Sequence, residues 1–250
     1  MKKTMIPLVL TGLISGSAIA SGTGAEWGYT GGNGPDNWDK LSSAYEMCGK
    51  GRNQSPVNLT DMIEGDLPPL ELRYQRDGRE IVNNGHTIQI NYAPGSTLSV
   101  AGKAYELKQL HFHAPSENQI GGKSFPMEAH FVHADAAGNL AVLALMVEEG
   151  YENKALKNAW SHMPEKAGEN HALSKPFNAS ELLPSYDDDE LEYYRFNGSL
   201  TTPPCSEGVV WMVLKETVQA SADQIEKFAH IMHHPNNRPV QPINARVIVQ

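Results

Sequence analysis

Two short stretches constrain the fold most: "LAVLALMV" (Leu140–Val147) and "VVWMVL" (Val209–Leu214). Each is a continuous apolar run, too short to span a membrane and without the alternation of a half-buried strand. Such runs suit strands buried on both faces, in the middle of a large sheet. Alternating segments surround them: "TIQINY" (Thr87–Tyr92), "STLSV" (Ser96–Val100), "KQLHFH" (Lys108–His113) and "EAHFVH" (Glu128–His133). The 16 prolines and 22 glycines are spread along the chain, as expected for many turns joining short elements. Helical patterns are few. In "SADQIEKFAHIMHH", Ser221 and Gln224 form a capping box, Ile225, Phe228, Ala229 and Met232 fall at helical spacing, and Pro235 ends the segment. A second helix is predicted from about Asn153 to His162. The glycine-rich stretch "SGTGAEWGYTGGNGPDN" carries Trp27 and Tyr29 and should drape over a surface. With no internal repeat and no linker, the 250 residues read as one sheet-dominated domain with peripheral helices.

Residues 1–20, "MKKTMIPLVLTGLISGSAIA", stand apart from that domain. A basic start, a short apolar run and Ala18-Ile19-Ala20 form the pattern of a cleaved secretory leader, leaving 21–250 as the mature chain. Cleavage removes Lys2 and Lys3 and no acid, so the formal charge moves from −9 to −11. An acidic surface argues against a nucleic-acid partner, and no later apolar run is long enough to span a membrane. Export also changes how the two cysteines read. Cys48 and Cys205 are the only pair, and an oxidising compartment favours a disulfide over two buried thiols. They are too few for a cysteine-ligated metal site.

Histidines carry the chemistry. His111 and His113 lie two apart and project from one strand face, with Phe112 pointing the other way. If "ENQIGGKSFP" turns the chain into a hairpin, "EAHFVH" becomes the antiparallel neighbour and His130 joins them. Three imidazoles on one face are a catalytic zinc set, one tetrahedral position being left for water. Gln109 shares the face of His111 and His113, and Glu128 that of His130; either can fix an imidazole through its second nitrogen. His133 has the opposite parity and should pack away from the site. Core histidines satisfied by hydrogen bonds would show the same spacing. His230, His233 and His234 lie near a helix C-terminus, where imidazolium favours the dipole, and no H-E-x-x-H pattern accompanies them.

The ordered set "WGYTGGNGPDNW", "GRNQSPVNL", "NNGHTIQI", "QLHFHAPSEN", "MEAHFVH", "GSLTTPPCSEGVVWMV" and "RPVQPINAR" resembles the α-class carbonic anhydrases of the exported bacterial type, over nearly all of the mature chain. The resemblance implies a single domain, mostly β, on a large, central, mainly antiparallel twisted sheet of about ten strands with short peripheral helices. It implies one zinc ion per chain on His111, His113 and His130. It makes Glu117 the acceptor of a hydrogen bond from Thr201, whose hydroxyl then aims the zinc-bound hydroxide at the substrate carbon. His86 matches the proton shuttle, and Tyr29, Asn84 and Gln89 match positions along the proton route. Val132, Val142, Leu200 and Trp211 match the apolar wall that holds carbon dioxide, with Thr202 beside the substrate. Cys48 and Cys205 match the disulfide of secreted members.

This chain departs from many relatives in small ways. Ala114 follows H-F-H where vertebrate members carry tryptophan, and the spacer to Glu117 is short. Gln89 stands for asparagine and Phe196 for tyrosine. The implied activity is reversible hydration of carbon dioxide to bicarbonate and a proton, with weak esterase activity and inhibition by sulfonamides and anions. The implied location is the periplasm or the medium, and a homodimer is one state the resemblance allows. Two other readings are a non-catalytic binding relative, which would typically lack a zinc histidine, and a zinc hydrolase, which would need a wider, more polar pocket.

Overall fold

The computed structural model describes residues 25–185 and 191–250. The secretory leader expected at 1–20 lies outside the described residues. Among the described residues, four short α-helices, α1 (Trp38–Leu41), α2 (Met47–Lys50), α3 (Lys154–Trp160) and α4 (Ala222–Met232), flank the strands. The strands in chain order are β1 (Asn58–Leu59), β2 (Glu71–Arg73), β3 (Arg76–Asn83), β4 (Ile88–Tyr92), β5 (Thr97–Val100), β6 (Lys103–His113) and β7 (Gln119–Ile120). They continue with β8 (Met127–Ala134), β9 (Leu140–Glu149), β10 (Asn170–Asn178), β11 (Tyr193–Ser199), β12 (Glu207–Leu214) and β13 (Val218–Ala220). Eleven of them form one sheet with the path β10-β3-β4-β6-β8-β9-β12-β11, while β1 and β7 pair separately.

The two apolar runs are adjacent interior strands, β9 and β12, the latter next to the edge strand β11, and they pair in parallel, as β9 also does with β13. The sheet is therefore mixed, parallel where β9 meets β12 and β13 and antiparallel elsewhere. Continuous burial along β9 follows from layers on both faces. On one face Leu143, Leu145, Phe131 and Phe112 join the larger core under α3 and α4; Phe112 meets Trp160 at 4.8 Å and Phe228 at 6.3 Å. On the other face Val142, Ala144, Met146, Val209, Trp211 and Val213 form a second apolar cluster with Phe196.

Helix α4 has the expected capping box, Ser221 Oγ accepting from Gln224 N and Gln224 Oε1 accepting from Ser221 N. Its buried face differs from the expected one: Gln224 and Ile231 are buried with Phe228 and Met232, Ile225 is half-buried and Ala229 is exposed. Gln224 turns inward as well, to hydrogen-bond the backbone of Asn153, the N-cap of α3, which shifts the buried stripe. No helix among the described residues is long and apolar enough to cross a membrane.

Cys48 and Cys205 form a disulfide with Cα atoms 5.0 Å apart, across 157 positions of sequence. Closing so long a loop removes denatured-state entropy worth up to about 5 kcal/mol. Denaturant titration of the Cys48→Ser/Cys205→Ser variant should show a loss of about 2–5 kcal/mol; an unchanged midpoint would mean that the covalent link adds nothing to folding.

Candidate metal centre and active site

Antiparallel pairing of β6 with β8 places His111 opposite His130 and His113 opposite Glu128. The three imidazoles cluster with ring centroids 4.6–5.1 Å apart. One nitrogen from each lies within 4.8 Å of the others, the one group of this kind among the described residues. Each ring is also held from behind. His111 Nδ1 donates to Gln109 Oε1 (2.8 Å), His113 Nδ1 to the Asn236 carbonyl (2.7 Å), and His130 Nε2 to Glu128 Oε1 (2.9 Å). Those bonds leave His111 Nε2, His113 Nε2 and His130 Nδ1 as lone pairs facing a common point. Burial lowers the proton affinity of His111 and His113, and for His111 the neighbouring imidazoles lower it further, so both rings stay neutral and able to ligate. His113 Nε2 is buried and has no hydrogen-bond partner. A buried orphan nitrogen beside two others is the donor set zinc requires, so the residues fit the ion.

Glu128 is the hub behind the cluster. Its carboxylate accepts from Glu117 N (2.7 Å), Asn118 N (2.8 Å), Asn118 Nδ2 (2.7 Å) and His130 Nε2. Burial alone would raise its pKa, but His130 and these hydrogen bonds outweigh it and hold the carboxyl below its ordinary value. Glu117 is less well served. Its Oε1 accepts from Arg238 N (2.8 Å), but Oε2 completes no hydrogen bond and lies 3.4 Å from His113 Nε2. Burial pushes its pKa up to about 7 against His130, Arg238 N and the adjoining Thr201 hydroxyl, which favour the charged form.

Thr201 is buried in the turn after β11. That turn is fixed by reciprocal bonds, Ser55 N to Ser199 Oγ (2.8 Å) and Ser199 N to Ser55 Oγ (3.1 Å), and by the disulfide at Cys205. Buried Arg238 braces it from below, donating to Gln54 Oε1, to the Ser55 carbonyl and to the carbonyl of Cys48.

The cleft above the imidazoles has two unlike sides, because strand register continues across the sheet. One transverse row runs Asn91, Gln109, Val132, Val142, Trp211, Phe196. It is polar at β4 and β6 and apolar from β8 onward. Val132 and Leu200 are partly buried against the cluster holding Val142 and Trp211, and Trp211 meets His130 edge-on at 5.0 Å.

The polar side opens into a cleft of about 120 Å³ whose lining includes Tyr29, Asn84, His86, Gln89, His111 and Thr202. Gln89 pairs with His111 across β4 and β6, and Asn84 Nδ2 reaches Gln89 Oε1 at 3.5 Å. His86 stacks on Trp27 with centroids 3.8 Å apart and planes within 8°. Its proton affinity is lowered first by burial and then by His234, with Glu26 acting the other way. Tyr29 is kept protonated by burial and by Glu117. The segment bearing Trp27 and Tyr29 drapes over the surface as expected, pinned by Trp38 Nε1 to the carbonyls of Gly28 and Asn33. His133 packs away from the cluster, its Nε2 2.8 Å from the Tyr74 hydroxyl.

Sequence reasoning did not find Asn236, Arg238, Asn118 or Trp27 as parts of the site. Asn236 and Arg238 lie more than 120 positions from the groups they hold, and no local pattern marks them. The sequence marks Trp27 only as part of a segment draped over the surface, and aromatic spacing does not say which ring stacks on an imidazole.

The chain is similar to known proteins over most of its length. The family model described as eukaryotic-type carbonic anhydrase matches residues 33–250. The chain is 47% identical over 247 residues to a carbonic anhydrase of Pectobacterium carotovorum, covering 99% of this chain and 98% of that protein. It is 51% identical over 235 residues to one of Neisseria gonorrhoeae, covering 94% and 91%. Among solved structures, the α-carbonic anhydrase of Thermovibrio ammonificans in complex with the inhibitor sulfanilamide superposes with a TM-score of 0.87 at 47% identity, over 91% of this chain and all of that one. With a mostly β fold on an eleven-stranded sheet, and a match over almost its whole described length, this chain belongs to the α-class, eukaryotic-type carbonic anhydrase family.

Proposed function

We propose that this enzyme hydrates carbon dioxide reversibly with one zinc ion held by His111, His113 and His130, and that His86 exports the proton. One observation carries the reading: each imidazole has one nitrogen fixed by an acceptor and the other turned to a shared point. A zinc ion bound there would lower the pKa of a water and supply the nucleophile near neutral pH.

The chain's own groups then direct the reaction. Gln109, the Asn236 carbonyl and Glu128 hold the rings in one tautomer and orientation. Thr201 adjoins Glu117, whose Oε2 lacks a donor. A threonine hydroxyl that gives its hydrogen to that carboxylate can only accept from the attacking oxygen, which aims the oxygen's lone pair at carbon. Val132, Val142, Leu200 and Trp211 offer a neutral, apolar substrate a dry wall, while Thr202 stands on the polar side to meet the charged product. His86, with its proton affinity lowered, is neutral at pH 7 and ready to accept. Asn84, Gln89 and Tyr29 line the approach to it.

The deciding experiment is carbon dioxide hydration by zinc-loaded protein with and without a chelator. Activity that zinc restores supports the reading; no chelator-sensitive activity overturns it. The same nucleophile should hydrolyse activated esters slowly. Sulfonamide anions should bind the metal centre, as the sulfanilamide complex of the Thermovibrio relative suggests. The disulfide supports an exported, periplasmic or secreted enzyme.

In weak buffer His86→Ala should lower kcat by about 10-fold or more, since a positioned acid–base group contributes on the order of 10²–10⁴. kcat/KM should hold, and small imidazole buffers should restore turnover. Unchanged turnover in weak buffer would remove His86 from this role.

A further inference from the structure

The proton route has a second imidazole near it. His234 follows α4 in the turn begun by His233, whose backbone reverses in the left-handed region (φ 61°). Its ring faces Tyr29 with centroids 6.2 Å apart. Tyr29 meets Trp27 edge-on at 5.6 Å, and Trp27 stacks on His86. His86 and His234 therefore stand at the two ends of one cluster of rings. Asn236 fixes that arrangement, because its Nδ2 donates to the His86 carbonyl (3.1 Å) two positions after His234. In a neutral His234 ring, Nδ1 donates to the Pro235 carbonyl (3.0 Å), which leaves Nε2 as the acceptor, and the side chain is partly open to solvent.

We propose that His234 is a second proton carrier of this route, taking protons after His86 and releasing them to buffer. The proposal rests on the reading of His86 as first acceptor. Only a proton moves: His86 returns to its neutral form, His234 becomes imidazolium, and a buffer base then discharges it. Repulsion couples the two rings: His234 is among the groups that disfavour a proton on His86, so His86 is discharged the more readily beside it. The other titratable groups around the cluster do not compete for this role. Glu26 favours a proton on His86, Tyr29 stays a neutral phenol under burial and Glu117, and His233 faces His230 at 6.2 Å.

The test uses the zinc-loaded enzyme in weak buffer. His234→Phe, which keeps a ring against Tyr29, should lower kcat by about threefold, a small part of what an acid–base group contributes. kcat/KM should not change, and small imidazole buffers should restore kcat. The rising limb of the kcat–pH profile should move to higher pH, because His86 loses a positive neighbour. His234→Gln should do the same, which separates proton exchange from ring packing. In a His86→Ala background, adding His234→Phe should cost nothing further, since the two act in series.

Wild-type turnover and pH profile in both His234 variants, with His86→Ala still slow, would overturn the role of His234 and leave that of His86 standing. A loss of kcat that imidazole does not restore would overturn it too, as a packing effect. If His86→Ala itself runs at the wild-type rate, the first acceptor is wrong and this proposal falls with it.

Discussion

His113→Ala is expected to abolish stoichiometric zinc binding and to lower carbon dioxide hydration by more than about 100-fold, beyond the ~10–100-fold typical of losing a ligand's hydrogen-bond partner. His113 is the most informative of the three because its Nε2 is buried without any partner, and its Nδ1 is already committed to the Asn236 carbonyl. Removing the imidazole therefore deletes a metal donor while leaving Gln109, Glu128 and the other two rings in place. Stability in the absence of metal should fall by about 1–3 kcal/mol, since the truncation leaves the buried Asn236 carbonyl without its donor. Zinc content and hydration rate measured on the same preparation check both halves. A variant that keeps one zinc per chain and most of its activity would mean that the ligands lie elsewhere.

Glu128→Gln is expected to cost about 2–4 kcal/mol of folding free energy and about 10–100-fold in zinc affinity, although the side chain keeps its shape. The carboxylate accepts four hydrogen bonds in full burial, from the backbone of Glu117 and Asn118, the Asn118 amide and His130. An amide offers one acceptor oxygen; its NH₂ would face two of those donors with no lone pair to give them. The damage should reach the metal through His130, whose tautomer and orientation Glu128 sets, and Glu117 through the turn it anchors. Gln109 is neutral and partly exposed, so losing it should cost less. Denaturant titration and zinc competition with a chelator would measure the two effects. Wild-type stability for Glu128→Gln would refute the hub.

The elements that were legible share a physical cause: short-range periodicity. Two-residue alternation placed His111 and His113 on one face and turned Phe112 and His133 away from it. The capping box marked the longest helix, and the segment from about Asn153 to His162 contains the second longest, whose N-cap at Asn153 only the structure shows. Continuous apolar runs identified strands buried on both faces without saying that β9 and β12 run parallel, because nothing within a strand encodes its neighbour's direction. Glu117, Thr201 and His86 owe their roles to family resemblance alone. Locally they are a turn acid, a loop threonine and a turn histidine.

What the sequence determined by itself is which face of each strand every side chain occupies, since side-chain direction alternates with the backbone. What only the tertiary structure decided is which faces meet. The register across β4, β6, β8, β9, β12 and β11 joins Gln109 to Val132, Val142 and Trp211 in one row, and so makes a cleft polar on one side and apolar on the other. Asn236, Arg238 and Trp27 enter the site the same way, through contacts spanning tens to nearly two hundred positions. Such contacts form because burial leaves donors and acceptors that must be paired, and the pairing depends on the whole packed chain rather than on any segment of it.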